Sequence, residues 1–288
     1  MKDIRQEIER VNEIVTLPTI LTEIMKELGK EEVVTNKITR MVETDAALTS
    51  SILRVANSAF YGLRQKVESV GNAITFLGHT EISRILITFF MKQQLRKLDP
   101  RQESALERLW KHSINTSAIA SLVCKEYSIA LGGEEYTAGL LHDMGKIIII
   151  QQFVAEGEVI FKSLKESGRT DIDVEREVIG ISHDEIGGLL GERWNLPAAL
   201  VEVMRFHHST NSALQFADLA AVVRFADLLA ESWGYGVGEG KDLSRGSTDE
   251  SFVYLCSQYP RMKSQTLEGV MERLSEKHVE QKSLVGLF

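Results

Sequence analysis

Gly139-Leu140-Leu141-His142-Asp143-Met144-Gly145-Lys146-Ile147-Ile148-Ile149-Ile150 lies near the middle of the chain, and its reading decides between a mixed and a purely helical fold. The four isoleucines would suit a short buried strand. The segment before them keeps a helical frame, so residues 134 to 153 read as helix. Working outward, residues 106 to 129 form an earlier helical stretch. Downstream, Ser182-His183-Asp184-Glu185 has the pattern of a capping box ahead of Ile186, Leu189 and Leu190. Asn195-Leu196-Pro197 ends that helix and starts the next. Residues 214 to 232 are apolar on most of their circumference, residues 234 to 251 read as a loop, and an amphipathic helix is expected over 264 to 280. Toward the N-terminus, Val34, Ile38, Met41 and Val42 recur at helical spacing. Asp45 can cap a helix carrying Leu48, Ile52, Leu53, Val55 and Ala56. A turn follows at Phe60-Tyr61-Gly62. Ile74, Phe76 and Leu77 stop at Gly78, and Ile82, Ile85, Leu86, Phe89 and Phe90 read as a mostly buried helix. Residues 94 to 104 are polar and contain Asp99-Pro100, which predicts a boundary there. The expectation is an all-α chain divided as 1–98, 99–235 and 236–288, the last a loop plus a helical extension.

Composition agrees with a folded protein. Of 288 residues, 43% are hydrophobic and 26% charged, which argues against disorder throughout, and only four prolines interrupt helices. The net charge of −8 argues against general binding of nucleic-acid backbone. No apolar run approaches the roughly 20 residues needed to span a bilayer. The charged start, Met1 to Glu7, lacks the apolar core of a signal peptide. Cys124 and Cys256 have no CxxC spacing and fit a reducing compartment. A cytoplasmic protein with no membrane and no nucleic-acid partner is expected.

Five of the seven histidines fall between 112 and 208. Side chains of His142 and Asp143 can both reach a cation placed between them, and an imidazole with a carboxylate suits iron, manganese, zinc or magnesium. The alternative is a polar helix start with a solvated aspartate. His207-His208 closes an apolar helix, either as ligands or as capping histidines favoured by the helix dipole. His183 sits in the first turn of its helix, as a ligand or as a buried histidine bonded to backbone. His112 alone says nothing. Asp227 could project from a buried helix, but Arg224 (i−3) and Glu231 (i+4) share its stripe, which is equally readable as the helix's wet side.

The order of these residues is more specific than any one of them. His112, His142-Asp143, His183, His207-His208 and Asp227 follow the ligand order of HD-type metal-dependent phosphohydrolases, and His142-Asp143-Met144-Gly145-Lys146 resembles their HD(I/M)GK signature. The N-terminal half, with Leu17-Pro18-Thr19, Asp45-Ala46-Ala47-Leu48 and Arg54-Val55-Ala56-Asn57-Ser58-Ala59-Phe60-Tyr61-Gly62, resembles the HDOD (HD-related output domain) family. The likeness extends through Trp194-Asn195-Leu196-Pro197 and covers roughly residues 14 to 232.

This resemblance implies an N-terminal helical subdomain packed on an HD-like helical core, and a bacterial signalling output that works through contacts with signalling proteins. It implies one or two divalent metal ions (iron, manganese or zinc) held by His112, His142, Asp143, His183, His207, His208 and Asp227, with no organic cofactor. The competing implication is a metal-dependent phosphohydrolase acting on a nucleotide or phosphate ester, with Lys146 contacting phosphate. A third is a former enzyme whose histidines form only hydrogen bonds. Two departures from the cyclic di-GMP phosphodiesterases of the HD-GYP type stand out. Arg108 occupies the position of an acidic ligand, with Glu107 one step off. Ser209-Thr210-Asn211-Ser212 follows the double histidine where a GYP segment would be, and Gly234-Tyr235-Gly236 lies beyond Asp227. Asn57, Ser58, Phe60 and Tyr61 read either as a helix stop with an aromatic plug or as a partner contact.

Overall fold

A computed structural model describes residues 19–28, 34–58, 61, 65–96, 102–167, 169–213, 215–236 and 249–285. The expectations for Leu17-Pro18, Ala59-Phe60, Gly62, Asp99-Pro100, Leu214 and residues 237 to 248 lie outside these residues. All described regular structure is helical. No described helix is long and apolar enough to cross a membrane. The chain divides into two compact units, one formed by Thr16–Arg96 with the end of the last helix from Gln281, and one within Lys97–Glu280 that holds the rest of that helix.

The first unit holds α1 (Thr19–Leu28), α2 (Thr35–Glu43), α3 (Ala46–Ala56) and α4 (Val70–Arg96). Asp45 caps α3 as expected, its Oδ1 accepting from the backbone N–H groups of Ala47 and Leu48 at 2.9 and 3.0 Å. Within α4, Gly78 has φ 80° and ψ 165°, a conformation essentially reserved for glycine, so the helix breaks where the sequence predicts a stop. Leu21, Ile38, Val42, Leu48, Ile52, Ile82, Ile85 and Leu86 are buried as this unit's core. Asn57 closes α3 and pins the following segment. Its Nδ2 donates to the carbonyls of Leu53 and Val67, and its Oδ1 accepts from Val67 N–H, each at 2.8 Å. Tyr61 O–H donates to Glu81 at 2.6 Å. For Asn57 the bonds are those of a helix stop.

The second unit holds α5 (Glu103–Tyr127), α6 (Glu134–Leu141), α7 (Gly145–Gln152), α8 (Val154–Ser167), α9 (Asp171–Ile179), α10 (His183–Arg193), α11 (Ala198–Phe206), α12 (Ala217–Ala230), α13 (Glu250–Gln258), α14 (Pro260–Lys263) and α15 (Leu267–Val285). The isoleucine run is helical, in α7. The helix expected across 134 to 153 is interrupted by a turn at 142 to 144, which places His142-Asp143 between two helices. The expected loop at 234 to 251 ends earlier than predicted, because Asp249 caps α13 by accepting from Ser251 N–H at 2.9 Å. A hydrophobic core joins α5 and α12 to the C-terminal helices through Ile119, Val123, Phe225, Leu229, Phe252, Leu255, Val270 and Leu274. Residues 250 to 280 therefore belong to the same compact unit as the histidine-bearing helices.

Candidate metal centre

Close helix packing creates the centre. A Cβ on Gly139 would lie 2.9 Å from Ser117 Cα, so only glycine lets α6 press against α5 and bring His142 to His112. A Cβ on Gly145 would lie 1.9 Å from the His183 carbonyl oxygen, so the start of α7 runs directly against the start of α10. Asp143 thereby meets His183. His183 is placed by the capping box of α10, in which Ser182 N–H donates to Glu185 Oε2 at 3.0 Å. His207 sits at the C-cap of α11 with His208 next to it. His112 comes from α5 and Asp227 from α12.

All seven residues expected from the sequence converge. Asp143, His183, His207 and His208 form one group, and His112, His142 and Asp227 another, each offering ligand atoms within 4.8 Å of one another. Asp143 connects the groups. Its Oδ1 is 3.1 Å from His183 Nε2 and 3.7 Å from His207 Nε2, while its Oδ2 is 3.3 Å from His112 Nε2 and 3.6 Å from His142 Nε2. Asp227 Oδ1 lies 3.1 Å from His112 Nε2 and 3.8 Å from His142 Nε2. Six of the seven are buried, with His208 partly exposed.

The electrostatics favour a cation. Burial works against a proton on His112, yet Asp143 and Asp227 outweigh it and push the ring up to about 9. Burial is likewise outweighed at His183, where Glu175 and Asp143 raise the ring to about 10. Burial, reinforced by His142 and His183, holds His207 well below the ordinary range, and burial with His207 and Arg224 does the same to His208. Burial would raise Asp143, but Lys146, His142 and His183 hold it well down. Asp227 is held down against burial by His112, His142 and Arg224. Lys146 Nζ is 2.8 Å from Asp143 Oδ2 and 3.1 Å from Asp171 Oδ2, and these carboxylates outweigh burial to raise it.

The residues fit a divalent cation. His207 Nε2 is buried, makes no hydrogen bond, and faces Asp143 Oδ1 across 3.7 Å, while Oδ1 itself has only the His183 ring at 3.1 Å. Buried polar atoms without partners are uncommon, and a shared cation would satisfy both. The buried carboxylates of Asp143, Asp171, Glu175 and Asp227 outnumber the permanent cations Lys146 and Arg224, so the cation-free centre balances its charge with protons on His112 and His183, which a divalent ion would replace. His142 Nδ1 donates to the Gly139 carbonyl at 2.7 Å, and His183 Nδ1 to Glu175 at 2.8 Å. Such outer bonds orient imidazole ligands.

Arg108 and Glu107 take no part: Arg108 donates to Ser104 Oγ, and Glu107 pairs with Lys111 in solvent. The stripe of Asp227 is not a wet side, for Asp227 and Glu231 are buried, and Arg224 donates to Asp227 Oδ2 at 2.7 Å. Sequence reasoning missed Glu175 and Asp171. Glu175 lies eight residues before His183 across a helix boundary, where no spacing rule applies.

Comparison with known proteins gives the same fold. The HDOD domain family matches residues 14–210. An uncharacterized protein of Treponema pallidum (strain Nichols) is 26% identical over 231 residues, covering 76% of this chain and 42% of its own length. YuxH of Bacillus subtilis (strain 168), also uncharacterized, is 31% identical over 106 residues, covering 37% of this chain and 25% of its own. The chain thus spans less than half the length of either relative. Among solved structures, an HDOD domain protein of unknown function from Geobacter sulfurreducens superposes with TM-score 0.79 at 23% identity, covering 99% of each chain. A signal-transduction candidate from Marinobacter aquaeolei VT8 gives TM-score 0.71 at 20% identity, covering 98% of this chain and 63% of its own. A phosphohydrolase candidate from Shewanella amazonensis SB2B gives 0.70 at 20% identity, covering 98% and 97%. These likenesses establish the fold, and the family match over more than half of its length establishes that this chain belongs to the HDOD family.

Proposed function

We propose that the chain is a bacterial, cytoplasmic signalling module whose HD-type centre holds one or two divalent cations, iron, manganese or zinc, and whose output is contact with signalling proteins. The observation that carries this reading is the burial of the centre. His112, His142, Asp143, His183, His207 and Asp227 are each no more than 3% exposed. Turnover needs an open coordination position, whereas a structural or sensory ion can be enclosed. A cation bound there interacts with the native state alone, so it adds to folding stability. The acidic balance of the chain supports protein partners over nucleic acid.

A second reading, a metal-dependent phosphohydrolase, is favoured by one observation: Lys146, His208 and Arg224 are partly exposed at the edge of the buried cluster. A bound cation lowers the pKa of water and steadies phosphoryl oxygens. Lys146 would add a point charge for phosphate. Its present bonds to Asp143 and Asp171 make it a neutralising partner of the centre, and the third N–H of its ammonium would serve a phosphate oxygen.

Thermal unfolding of the full chain, treated with chelator and then reloaded with zinc, manganese or iron(II), tests the cation reading. Reloading should raise Tm by several degrees, and His142→Ala should abolish the rise. Identical Tm values in all samples would contradict it. A screen of phosphate esters on the reloaded protein separates the two functions: hydrolysis that His142→Ala abolishes would favour the second.

A further inference from the structure

The hydrogen bonds around the centre decide which nitrogen of each ring carries the proton. Gly139 and Val203 present carbonyl oxygens to Nδ1 of His142 and His207 at 2.7 and 3.1 Å, and Glu175 presents a carboxylate to Nδ1 of His183 at 2.8 Å. These groups accept only. In each neutral ring Nδ1 therefore holds the hydrogen, and Nε2 keeps its lone pair for a cation.

His208 is arranged the other way. Arg224 Nη1 lies 3.0 Å from His208 Nδ1. A guanidinium has donors and no acceptor, so Nδ1 of His208 must supply the lone pair. The hydrogen of this ring is then on Nε2, 3.0 Å from His183 Nε2. An N–H cannot be a ligand atom. Turning the ring over would set carbon opposite the guanidinium and lose both contacts. Arg224 is itself fixed, with Nη1 2.7 Å from Asp227 Oδ2 and Nε 3.6 Å from Asp249 Oδ2 at the N-cap of α13.

We propose that Arg224 withholds His208 from the cation shell and sets its Nε2–H as a hydrogen-bond donor to an oxyanion entering the centre. The oxyanion role rests on the second reading above, in which the loaded centre is reached from its partly exposed edge. His183 Nε2, the protein atom that His208 faces, would spend its lone pair on the cation, so it is no acceptor for His208 in the loaded centre. The His208 N–H is then left facing the centre at its partly exposed edge, beside Arg224. Arg224 acts through His208 and is a positioning residue.

The test uses the full chain labelled with 15N-histidine, chelator-treated and zinc-loaded. Long-range 1H–15N correlation distinguishes the two tautomers, and loss of one signal in His208→Phe assigns that ring. His208 should be the Nε2–H form, and Arg224→Met should move it to Nδ1–H. An Nδ1–H form in the unmutated protein overturns the assignment, and needs no variant of Arg224 to fold. In calorimetric zinc titrations, His208→Phe should retain stoichiometry and affinity within about threefold, whereas His207→Phe should lose tenfold or more. Equal losses would return His208 to the shell. Inorganic phosphate should bind the zinc-loaded His208→Phe protein about tenfold more weakly than the parent, the loss expected for one hydrogen bond to a charged group. Equal phosphate binding overturns the donor role. A chain that takes up no zinc overturns the cation reading and the oxyanion role with it, while the chelator-treated spectrum still decides the tautomer.

Discussion

Lys146 shows how one side chain couples stability to the centre. Its ammonium is almost buried and bridges Asp143 and Asp171. Removing one partner of a buried ion pair leaves the other uncompensated, at about 3–5 kcal/mol. Lys146→Met should therefore destabilise the chelator-treated protein by about 3 kcal/mol in urea unfolding, and less once a cation neutralises Asp143. A loss below about 1 kcal/mol would show that the pair is idle. That His112, His142-Asp143, His183 and His207-His208 would come together was legible because their order in the chain is distinctive. Asp227 was ambiguous, since periodicity places Arg224 and Glu231 on its stripe without saying whether that stripe is wet. Burial of α12 on almost every side settles it. The contact between Arg224 and His208 was not legible, because it joins α12 to the turn after α11, sixteen residues apart, through tertiary packing alone.

At the scale of elements, local chemistry accounts for most boundaries. Asp45, Gly78, Ser182 with Glu185, and Pro197 act where the sequence places them. Ser182→Ala should cost about 1 kcal/mol, as expected for a lost cap, measured as a shift of the urea midpoint. It should also weaken cation binding, because the box sets His183. An unchanged midpoint would mean that Glu185 holds the turn alone. Two boundaries were not legible. The turn at 142 to 144 interrupts a continuous apolar frame, and it forms because Gly145 allows contact with α10 from a distant part of the chain. The helix α13 was hidden by its polar start, Asp249-Glu250-Ser251, and by its short apolar spacing at Phe252 and Leu255.

For the molecule as a whole, the C-terminal helices stabilise the unit that contains the centre. The helices α5 and α12 each present one side to the centre, with His112 and Asp227. They also pack against α13 to α15 through Val123, Phe225, Leu229, Leu255 and Leu274. His278 on α15 adds a polar tie by donating to Asn115 Oδ1 at 3.0 Å, one turn along α5 from His112. Leu274 is fully buried, so Leu274→Ala should destabilise the protein by about 2–5 kcal/mol through cavity formation. Cation content per folded molecule should stay the same, which separates support of the fold from ligation. The central claim is that the buried HD-type centre is a cation site. Elemental analysis of protein purified without chelator or metal-affinity tag, with His142→Ala prepared in parallel, tests it most directly. The account predicts about one to two equivalents of iron, manganese or zinc in the parent, and loss of them in the variant. Stoichiometric metal that survives His142→Ala, or a parent that holds none and takes up none when reloaded, would contradict it.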